Sequence, residues 1–169
     1  ANLVEELISP ARIPFEVSTA AMKLAEQVIQ SFDMVGLLAI ELFLTAESTL
    51  IINEVAPRPH NSGHQTIEGN VTSQYEQLLR AILNLPLGST ALRSPSVMIN
   101  VLGAPNHRGA AIYDGLEEVL TMDNVHVHIY GKKETKPFRK MGHVTILDTS
   151  IDQALSKAKR IRDTLKVVS

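Results

Sequence analysis

The pattern of apolar and polar positions predicts a helix followed by a β-hairpin in the first third of the chain. Apolar residues recur at helical spacing from about Glu16 to Ser31. A nearly continuous apolar run then covers Leu37–Leu44, and a second covers Leu50–Val55. The polar segment Thr45–Thr49 between these runs is a plausible turn, so we expect two antiparallel strands joined by it.

The rest of the chain mixes predicted helices and strands without regular alternation. Serines at 73 and 150 precede glutamate and glutamine by three positions, a capping-box spacing that predicts two helix starts. Residues 1–14 are expected to be extended or irregular. The other expected elements are a helix over 73–84, a strand over 96–103, a short helix over 113–122, strands over 125–131 and 141–148, and a helix from 150 to about 166. This order favours the α+β class.

Composition narrows the classes of function. The 169 residues carry 16 basic and 18 acidic side chains, and this net charge of −2 argues against a general nucleic-acid binder. The chain has no cysteine, which removes disulfides and thiol catalysis. No apolar run approaches the roughly 18 residues of a membrane span, so no membrane partner is expected.

Two carboxylates inside the predicted hairpin are the first chemical signal. Glu41 and Glu54 lie in apolar strand sequence, where an ionised carboxylate is costly unless it is paired. If the turn is centred between Glu47 and Ser48, the two glutamates face each other with Cβ atoms about 5 Å apart. A divalent cation such as Mg²⁺ would relieve their repulsion. Strict alternation would point Asn53 to the other face unless the strand bulges or ends there.

Alternatives to this metal site stay open at this point. One glutamate could instead pair with a lysine or arginine. A turn shifted by one residue would put the two carboxylates on opposite faces of the hairpin.

A proline-rich loop follows the second predicted strand. Pro57 and Pro59 restrict the backbone around Arg58 and His60, so both side chains would be presented at little entropic cost. A guanidinium suits a carboxylate or a phosphate, and a histidine can hydrogen-bond a substrate or move a proton. Asn61 offers both a donor and an acceptor. Alternatively, the loop is only a rigid turn in which the arginine caps a carbonyl and the histidines pack.

A basic segment lies in the second half of the chain. Five of the nine residues from Lys132 to Lys140 are lysine or arginine. Such a cluster suits a phosphate monoester, although a solvated loop would have the same composition.

Two long motifs resemble a known family. The run Ile52–Glu68 contains Asn53-Glu54 and Pro57-Arg58 and resembles the signature of the ATP-grasp ligases of purine biosynthesis. Its His60–His64 continuation resembles, more narrowly, the 5-(carboxyamino)imidazole ribonucleotide synthases, the ATPase subunits of phosphoribosylaminoimidazole carboxylase. The later run Tyr130–His143 also resembles that family, although Phe138 stands where relatives often carry glycine and Lys136 where they often carry arginine.

The resemblance implies a fold and a reaction. Residues 1–88 would be the C-terminal portion of an ATP-grasp domain, an antiparallel sheet with flanking helices, and residues 89–169 a small α/β C-terminal domain. The family's ligases use ATP and Mg²⁺ to activate bicarbonate as carboxyphosphate. They then carboxylate 5-aminoimidazole ribonucleotide to N5-carboxyaminoimidazole ribonucleotide and release ADP and phosphate.

The matched positions also imply roles for individual residues. Glu41 and Glu54 would bind Mg²⁺, and Asn53 with Glu54 would lie beside the ATP phosphates. The residues implied to hold bicarbonate or its activated form are Arg58, His60 and Asn61. Those implied to bind the phosphate of the ribonucleotide are Lys132, Arg139 and Lys140.

The length bears on how much of such a ligase is present. The family has an N-terminal domain and a lid with nucleotide-gripping lysines, and neither fits into 169 residues. We therefore expect the C-terminal part of a larger ligase, inactive alone, whose parent is a cytoplasmic homodimer. The alternatives are another ATP-grasp ligase, such as the formate-dependent glycinamide ribonucleotide transformylase, or a non-catalytic binding or dimerisation module.

Overall fold

The computed structural model describes residues 3–169, which form two compact units. One unit, here called the hairpin unit, comprises residues 11–91. The other, the sheet unit, comprises the described residues up to Pro10 together with residues 92–169. The domain division after residue 88 stays a prediction. Helices mixed with antiparallel strand pairs confirm the predicted α+β class.

The elements are numbered in chain order. They are β1 (Glu6–Ser9), α1 (Phe15–Ser31), β2 (Ala39–Leu44), β3 (Leu50–Ala56), α2 (Thr66–Gly69), α3 (Gln74–Ile82), β4 (Ser96–Leu102), β5 (Gly109–Ala110), β6 (Ile112–Asp114), α4 (Leu116–Leu120), β7 (Val125–Ile129), β8 (Glu134–Thr135), β9 (Lys140–Leu147), α5 (Ile151–Thr164) and β10 (Lys166–Val168). A 3₁₀ turn, Asn61–Gly63, lies between β3 and α2.

The sheet unit is built on a four-stranded antiparallel sheet with the order β1-β4-β9-β7. Alternate residues of β4 and three residues of β9 contribute to a buried apolar cluster, which α5 completes. Ala154, Ala158 and Ile161 recur at helical spacing and are fully buried. Two of these three side chains are small, so the helix can approach the sheet closely. The loop between β7 and β9 therefore extends from a packed sheet.

Two short strand pairs complete the sheet unit. β10 pairs with β6, and β5 pairs with β8 in the middle of the basic segment. In the hairpin unit, β2 pairs with β3 and α3 follows the proline-rich loop. Among the described residues, no helix is both long and apolar enough to cross a membrane.

Both predicted helix caps are confirmed. The hydroxyl of Ser73 accepts a hydrogen bond from the backbone N–H of Glu76 at 3.2 Å. The hydroxyl of Ser150 accepts one from the backbone N–H of Gln153 at 3.3 Å. Each bond satisfies one of the N–H groups that the first turn of a helix leaves without an intrahelical partner.

Two sequence-based boundaries in the sheet unit are wrong. Tyr113, expected to begin a helix, lies in β6, and α4 begins only at Leu116. Gly115 between them has φ +74°, and a Cβ there would lie 2.3 Å from the carbonyl oxygen of Thr164, so the chain turns where only glycine fits. The last helix ends at Thr164 rather than near Lys166, because the following residues pair as β10. Tertiary pairing overrides the helical periodicity at both places.

Candidate functional site

The hairpin places Glu41 directly opposite Glu54, as the sequence predicts. The register of the strands near the turn, however, differs from the expected one. Near the turn, Leu44 faces Leu50 and Leu42 faces Ile52, which is one residue out of the predicted register. A β-bulge between Leu42 and Glu41 then shifts the pairing by one residue. The carboxylates meet because the bulge compensates for the position of the turn.

The bulge also explains how Asn53 reaches the carboxylates. Two residues of a bulged strand oppose one residue of its partner, which interrupts the alternation of faces. The side-chain amide of Asn53 donates a hydrogen bond to Oε2 of Glu41 at 3.3 Å. The sequence-based condition, that Asn53 needs a bulge to join the pair, is therefore met.

His60 lies between the two carboxylates. Its Nδ1 is 3.5 Å from Oε1 of Glu41, and its Nε2 is 3.5 Å from Oε1 of Glu54. One potential ligand atom from each of the three residues lies within 4.8 Å of the other two. The His60 side chain is 15% exposed, against 29% for Glu41 and 57% for Glu54. Two carboxylate oxygens and an imidazole nitrogen so close together fit a divalent cation.

Arg58 lies at the start of the proline-rich loop. Its backbone N–H donates to the carbonyl of Ala56 at 2.8 Å, a tight turn directly after β3. Its exposed guanidinium donates to the carbonyl of Pro59 at 3.0 Å. This is the carbonyl-capping contact of the alternative interpretation, and it also holds the charged group beside the loop.

The 3₁₀ turn carries the remaining predicted residue of this loop. Asn61 begins the turn and is half-buried. The N–H of Gly63 donates to the carbonyl of His60, and the N–H of His64 donates to that of Asn61. His60 itself contacts Ser62 through Nδ1 and Oγ, which lie 3.0 Å apart.

The basic segment of the sheet unit brings Lys132, Arg139 and Lys140 together. The ammonium of Lys132 donates to the carbonyl of Lys140 at 2.6 Å. Partial burial lowers the pKa of Lys132, and the nearby charges of Arg139 and Lys140 lower it further. Arg139 donates to the carbonyl of Glu134 at 2.8 Å, which ties it to β8. Three half-buried cations that repel one another form a surface at which an anion is favoured.

Three neighbours of these residues were given no role by sequence reasoning. The ring of Tyr130 lies 5.6 Å from the ammonium of Lys132, and its hydroxyl is 3.0 Å from Nδ1 of His143. In the hairpin unit, Gln74 hydrogen-bonds the backbone of His60. The contacts of Tyr130 with His143 and of Gln74 with His60 join residues 13 and 14 positions apart in the sequence, so local patterning does not reveal them.

Two family models match this chain. The ATP-grasp domain matches residues 1–75, and the phosphoribosylaminoimidazole carboxylase C-terminal domain matches residues 96–157. An N5-carboxyaminoimidazole ribonucleotide synthase of Mycobacterium tuberculosis is 44% identical over 156 residues, which are 90% of this chain and 36% of that protein. The chain thus spans well under half the length of this curated relative.

Solved structures show the same likeness. The crystal structure of N5-carboxyaminoimidazole ribonucleotide synthetase from Thermotoga maritima has a TM-score of 0.93 and 51% identity, covering 97% of this chain and 46% of that one. The Aspergillus clavatus synthase, solved in complex with ADP and 5-aminoimidazole ribonucleotide, has a TM-score of 0.85 and 33% identity, covering 96% and 44%. This chain therefore belongs to the N5-carboxyaminoimidazole ribonucleotide synthase family of ATP-grasp proteins.

Proposed function

We propose that this chain is the part of an ATP-dependent carboxylating ligase that carries the metal, bicarbonate and ribonucleotide-phosphate contacts. The product would be N5-carboxyaminoimidazole ribonucleotide, made from 5-aminoimidazole ribonucleotide. The observation that carries the proposal is the bulged hairpin, which brings Glu41, Asn53 and Glu54 together beside His60. The parent would be a cytoplasmic homodimer.

Glu41 and Glu54 would hold Mg²⁺, and Asn53 would fix the orientation of Glu41 through its hydrogen bond. The metal would neutralise charge on the nucleotide phosphates, the main demand of phosphoryl transfer. The bulge matters because it lets three polar groups from two strands point to one side. A regular hairpin would divide them between two faces.

Arg58, His60 and Asn61 would bind bicarbonate. In the first step a bicarbonate oxygen attacks the γ-phosphorus of ATP, ADP leaves, and carboxyphosphate forms. In the second step the amine of the ribonucleotide attacks the carboxyl carbon, the bond to the phosphate oxygen breaks, and the nitrogen loses a proton. The guanidinium of Arg58 would stabilise the negative charge that develops on the carboxyphosphate. His60 is placed to orient the acid group or to take up the proton.

The cluster of Lys132, Arg139 and Lys140 would bind the ribonucleotide phosphate. A dianion would relieve the repulsion among the three cations. Burial lowers the pKa of Lys132, and the nearby charges of Arg139 and Lys140 lower it further, which supports this role. The half-buried position of all three side chains reduces solvent screening of the contact. Binding of the phosphate would thus position the ribonucleotide for the reaction.

The proposal is tested in a chimera in which this chain replaces the matching segment of the Thermotoga maritima synthetase. We expect ADP release that depends on both 5-aminoimidazole ribonucleotide and bicarbonate. Glu54→Gln should lower kcat by about a hundred-fold or more, because charge stabilisation in the transition state is lost. Glu47→Gln, in the turn of the same hairpin, is the matched control and should change kcat little. A folded chimera that releases no ADP in response to the ribonucleotide would contradict the proposal.

A further inference from the structure

We infer that Gln74, the first residue of α3, is the positioning residue of the proline-rich loop, whose residues Arg58, His60 and Asn61 are proposed to bind bicarbonate. Its side-chain amide fixes the backbone of His60 and the tautomer of His64. The inference rests on the proposed function for the loop's chemistry, while the contacts themselves lie entirely within the hairpin unit.

Gln74 grips His60 from both sides of its peptide backbone. The N–H of His60 donates to Oε1 of Gln74 at 2.9 Å, and Nε2 of Gln74 donates to the carbonyl of His60 at 2.9 Å. The glutamine is 8% exposed, so both bonds are shielded from water. This pairing is the side-chain version of a strand ladder. It fixes the Cα from which the imidazole reaches Glu41 and Glu54.

The same amide determines the tautomer of His64. Its orientation is fixed because Oε1 must face the N–H of His60 and Nε2 must face the carbonyl. Nε2 can only donate, and it lies 3.0 Å from Nδ1 of His64. Nδ1 must therefore accept, which leaves the ring proton on Nε2. The hydroxyl of Tyr75 also lies 2.9 Å from this Nδ1, so it shares the same acceptor as a second donor.

Gly63 is the steric complement of Gln74. A Cβ at position 63 would lie 2.5 Å from Oε1 and 2.8 Å from Cδ of Gln74. The hydroxyl of Thr66 accepts from the backbone N–H of Gln74 at 2.9 Å and donates to the carbonyl of Gly63 at 2.6 Å. The start of α3 and the loop are thus held at one distance by two independent contacts.

The chain provides a matched control on the same helix. Gln77 makes the same two-sided grip on Gly88, whose N–H donates to Oε1 at 2.9 Å and whose carbonyl accepts from Nε2 at 2.6 Å. Gly88 lies after α3 and belongs to no proposed site. Replacing either glutamine removes two hydrogen bonds between α3 and the backbone of another segment. Of the two, Gln74 is the one that bonds to the proline-rich loop.

The first test measures the kinetics of the Thermotoga maritima chimera. Gln74→Leu should raise the KM for bicarbonate at least tenfold while the KM for ATP changes less than twofold. Gln77→Leu should leave the KM for bicarbonate within twofold of the parent chimera. Equal effects of the two variants would overturn the inference, as would an unchanged bicarbonate KM in Gln74→Leu.

The second test does not depend on activity. In the chimera labelled with ¹⁵N-histidine, the ring nitrogen shifts of His64 should report the Nε2–H tautomer. Gln74→Glu removes the donor, so Nδ1 should take up a proton and its shift should change. An unchanged shift would refute the assignment to Gln74. This measurement can be made even if the chimera is inactive. In that case the proposed function fails, but the shifts still show whether Gln74 sets the tautomer of His64.

A double-mutant cycle provides a third test, on sterics. Gly63→Ala should lower kcat/KM for bicarbonate at least fivefold in the parent chimera, because the added methyl group displaces Gln74. In the Gln74→Ala background the same change should cost less than twofold. Additive effects in the cycle would show that Gly63 and Gln74 act independently and would overturn the steric part of the inference.

Discussion

The two units differ in how far their apolar side chains are buried. The sheet unit buries a cluster of twelve residues, from Val97 to Val167. In the hairpin unit, Ala56 is the buried apolar residue among those the structure describes, while Phe43, Ile51 and Ile52 are 59%, 49% and 43% exposed. The buried polar side chains of the hairpin unit, Gln65, Thr72 and Gln74, lie in or beside the proline-rich loop and at the start of α3.

The two candidate sites are held in place by different kinds of contact. The basic segment extends from a packed sheet, and its β8 strand is held by pairing with β5. The positions of the two carboxylates instead depend on a bulge, and the backbone of the proline-rich loop at His60 is held by the amide of Gln74. Apolar contacts depend little on the relative orientation of the side chains, whereas a hydrogen bond requires its donor and acceptor to be aligned. Hydrogen bonds therefore set the directions of the polar groups in the candidate site of the hairpin unit.

The largest expected effect contrasts the apolar residues of the two units. Ile146→Ala in β9 removes a fully buried side chain and should lower the free energy of unfolding of the sheet unit by about 2–5 kcal/mol. Ile51→Ala in β3 removes a half-exposed side chain and should cost less than about 1 kcal/mol. Hydrogen exchange of β9 and β3 amides in urea measures each unit separately. Similar losses for the two variants would show that the two units depend equally on apolar burial.

The second effect concerns the basic segment. Lys132→Met should raise the KM for 5-aminoimidazole ribonucleotide in the chimera about 10- to 100-fold, since a charged hydrogen bond is worth roughly 1.5–3 kcal/mol. Lys133→Met, next to it and exposed, is the control and should change KM little. Equal effects would indicate that only net charge matters.

The lowered pKa of Lys132 adds a dependence on pH. A lysine with a lowered pKa loses its charge at a lower pH than an exposed lysine, so ribonucleotide affinity should fall in the alkaline range. Lys132→Arg keeps its charge there and should remove this loss, because arginine is not deprotonated in proteins. An alkaline loss that persists in Lys132→Arg would assign it to another group.

The third effect concerns backbone strain in the same segment. Phe138 has φ +62°, in the left-handed region that costs an ordinary residue about 1 kcal/mol. Phe138→Gly should therefore be more stable than Phe138→Ala by about 1 kcal/mol, although both lose the ring. Thermal unfolding of the two variants measures the difference directly. A Phe138→Ala variant as stable as Phe138→Gly would show that the loop relaxes rather than storing strain.

Local signals in the sequence predicted the elements well. The helical spacing over α1 and α5 and the caps Ser73 and Ser150 depend on neighbours within four positions, so a single sequence contains them. The start of α4 failed because Tyr113 is recruited into a strand by β10, more than fifty residues later. Short strands such as β5 and β8 carry too few residues for a periodic pattern.

The candidate site was predictable to a lesser extent. The sequence predicted that Glu41 and Glu54 lie opposite each other. It did not predict the bulge that brings them together, because the need for a bulge depends on the exact centre of the turn, and no single residue in the turn fixes that centre. The contact of His60 with both carboxylates requires the loop to fold back over the hairpin. Gln74 is an ordinary helix residue in the sequence, and only its distance from His60 reveals its part.

The smallest expected effect concerns an ion pair at the surface of the sheet unit and its contribution to the free energy of unfolding. The Lys157 ammonium lies 2.8 Å from Asp148 Oδ2, and its hydrogen bond, helped by the Thr149 N–H, lowers the pKa of that carboxyl. This contribution is fully present above the unfolded pKa, about 3.9 for aspartate, and is lost as pH falls through the lower folded pKa.

Asp148→Asn should therefore lower the free energy of unfolding by less than about 1 kcal/mol at pH 7, and the difference should close as the solution is acidified. The more exposed pair of Arg160 and Glu118, 3.0 Å apart, offers Glu118→Gln as the control with a still smaller effect. Urea unfolding at pH 7 and at pH 3 measures both. Because the buried side chain of Ile146 is expected to outweigh Asp148 severalfold, an Asp148→Asn loss as large as that of Ile146→Ala would mean that polar contacts stabilise the sheet unit as much as its apolar core does.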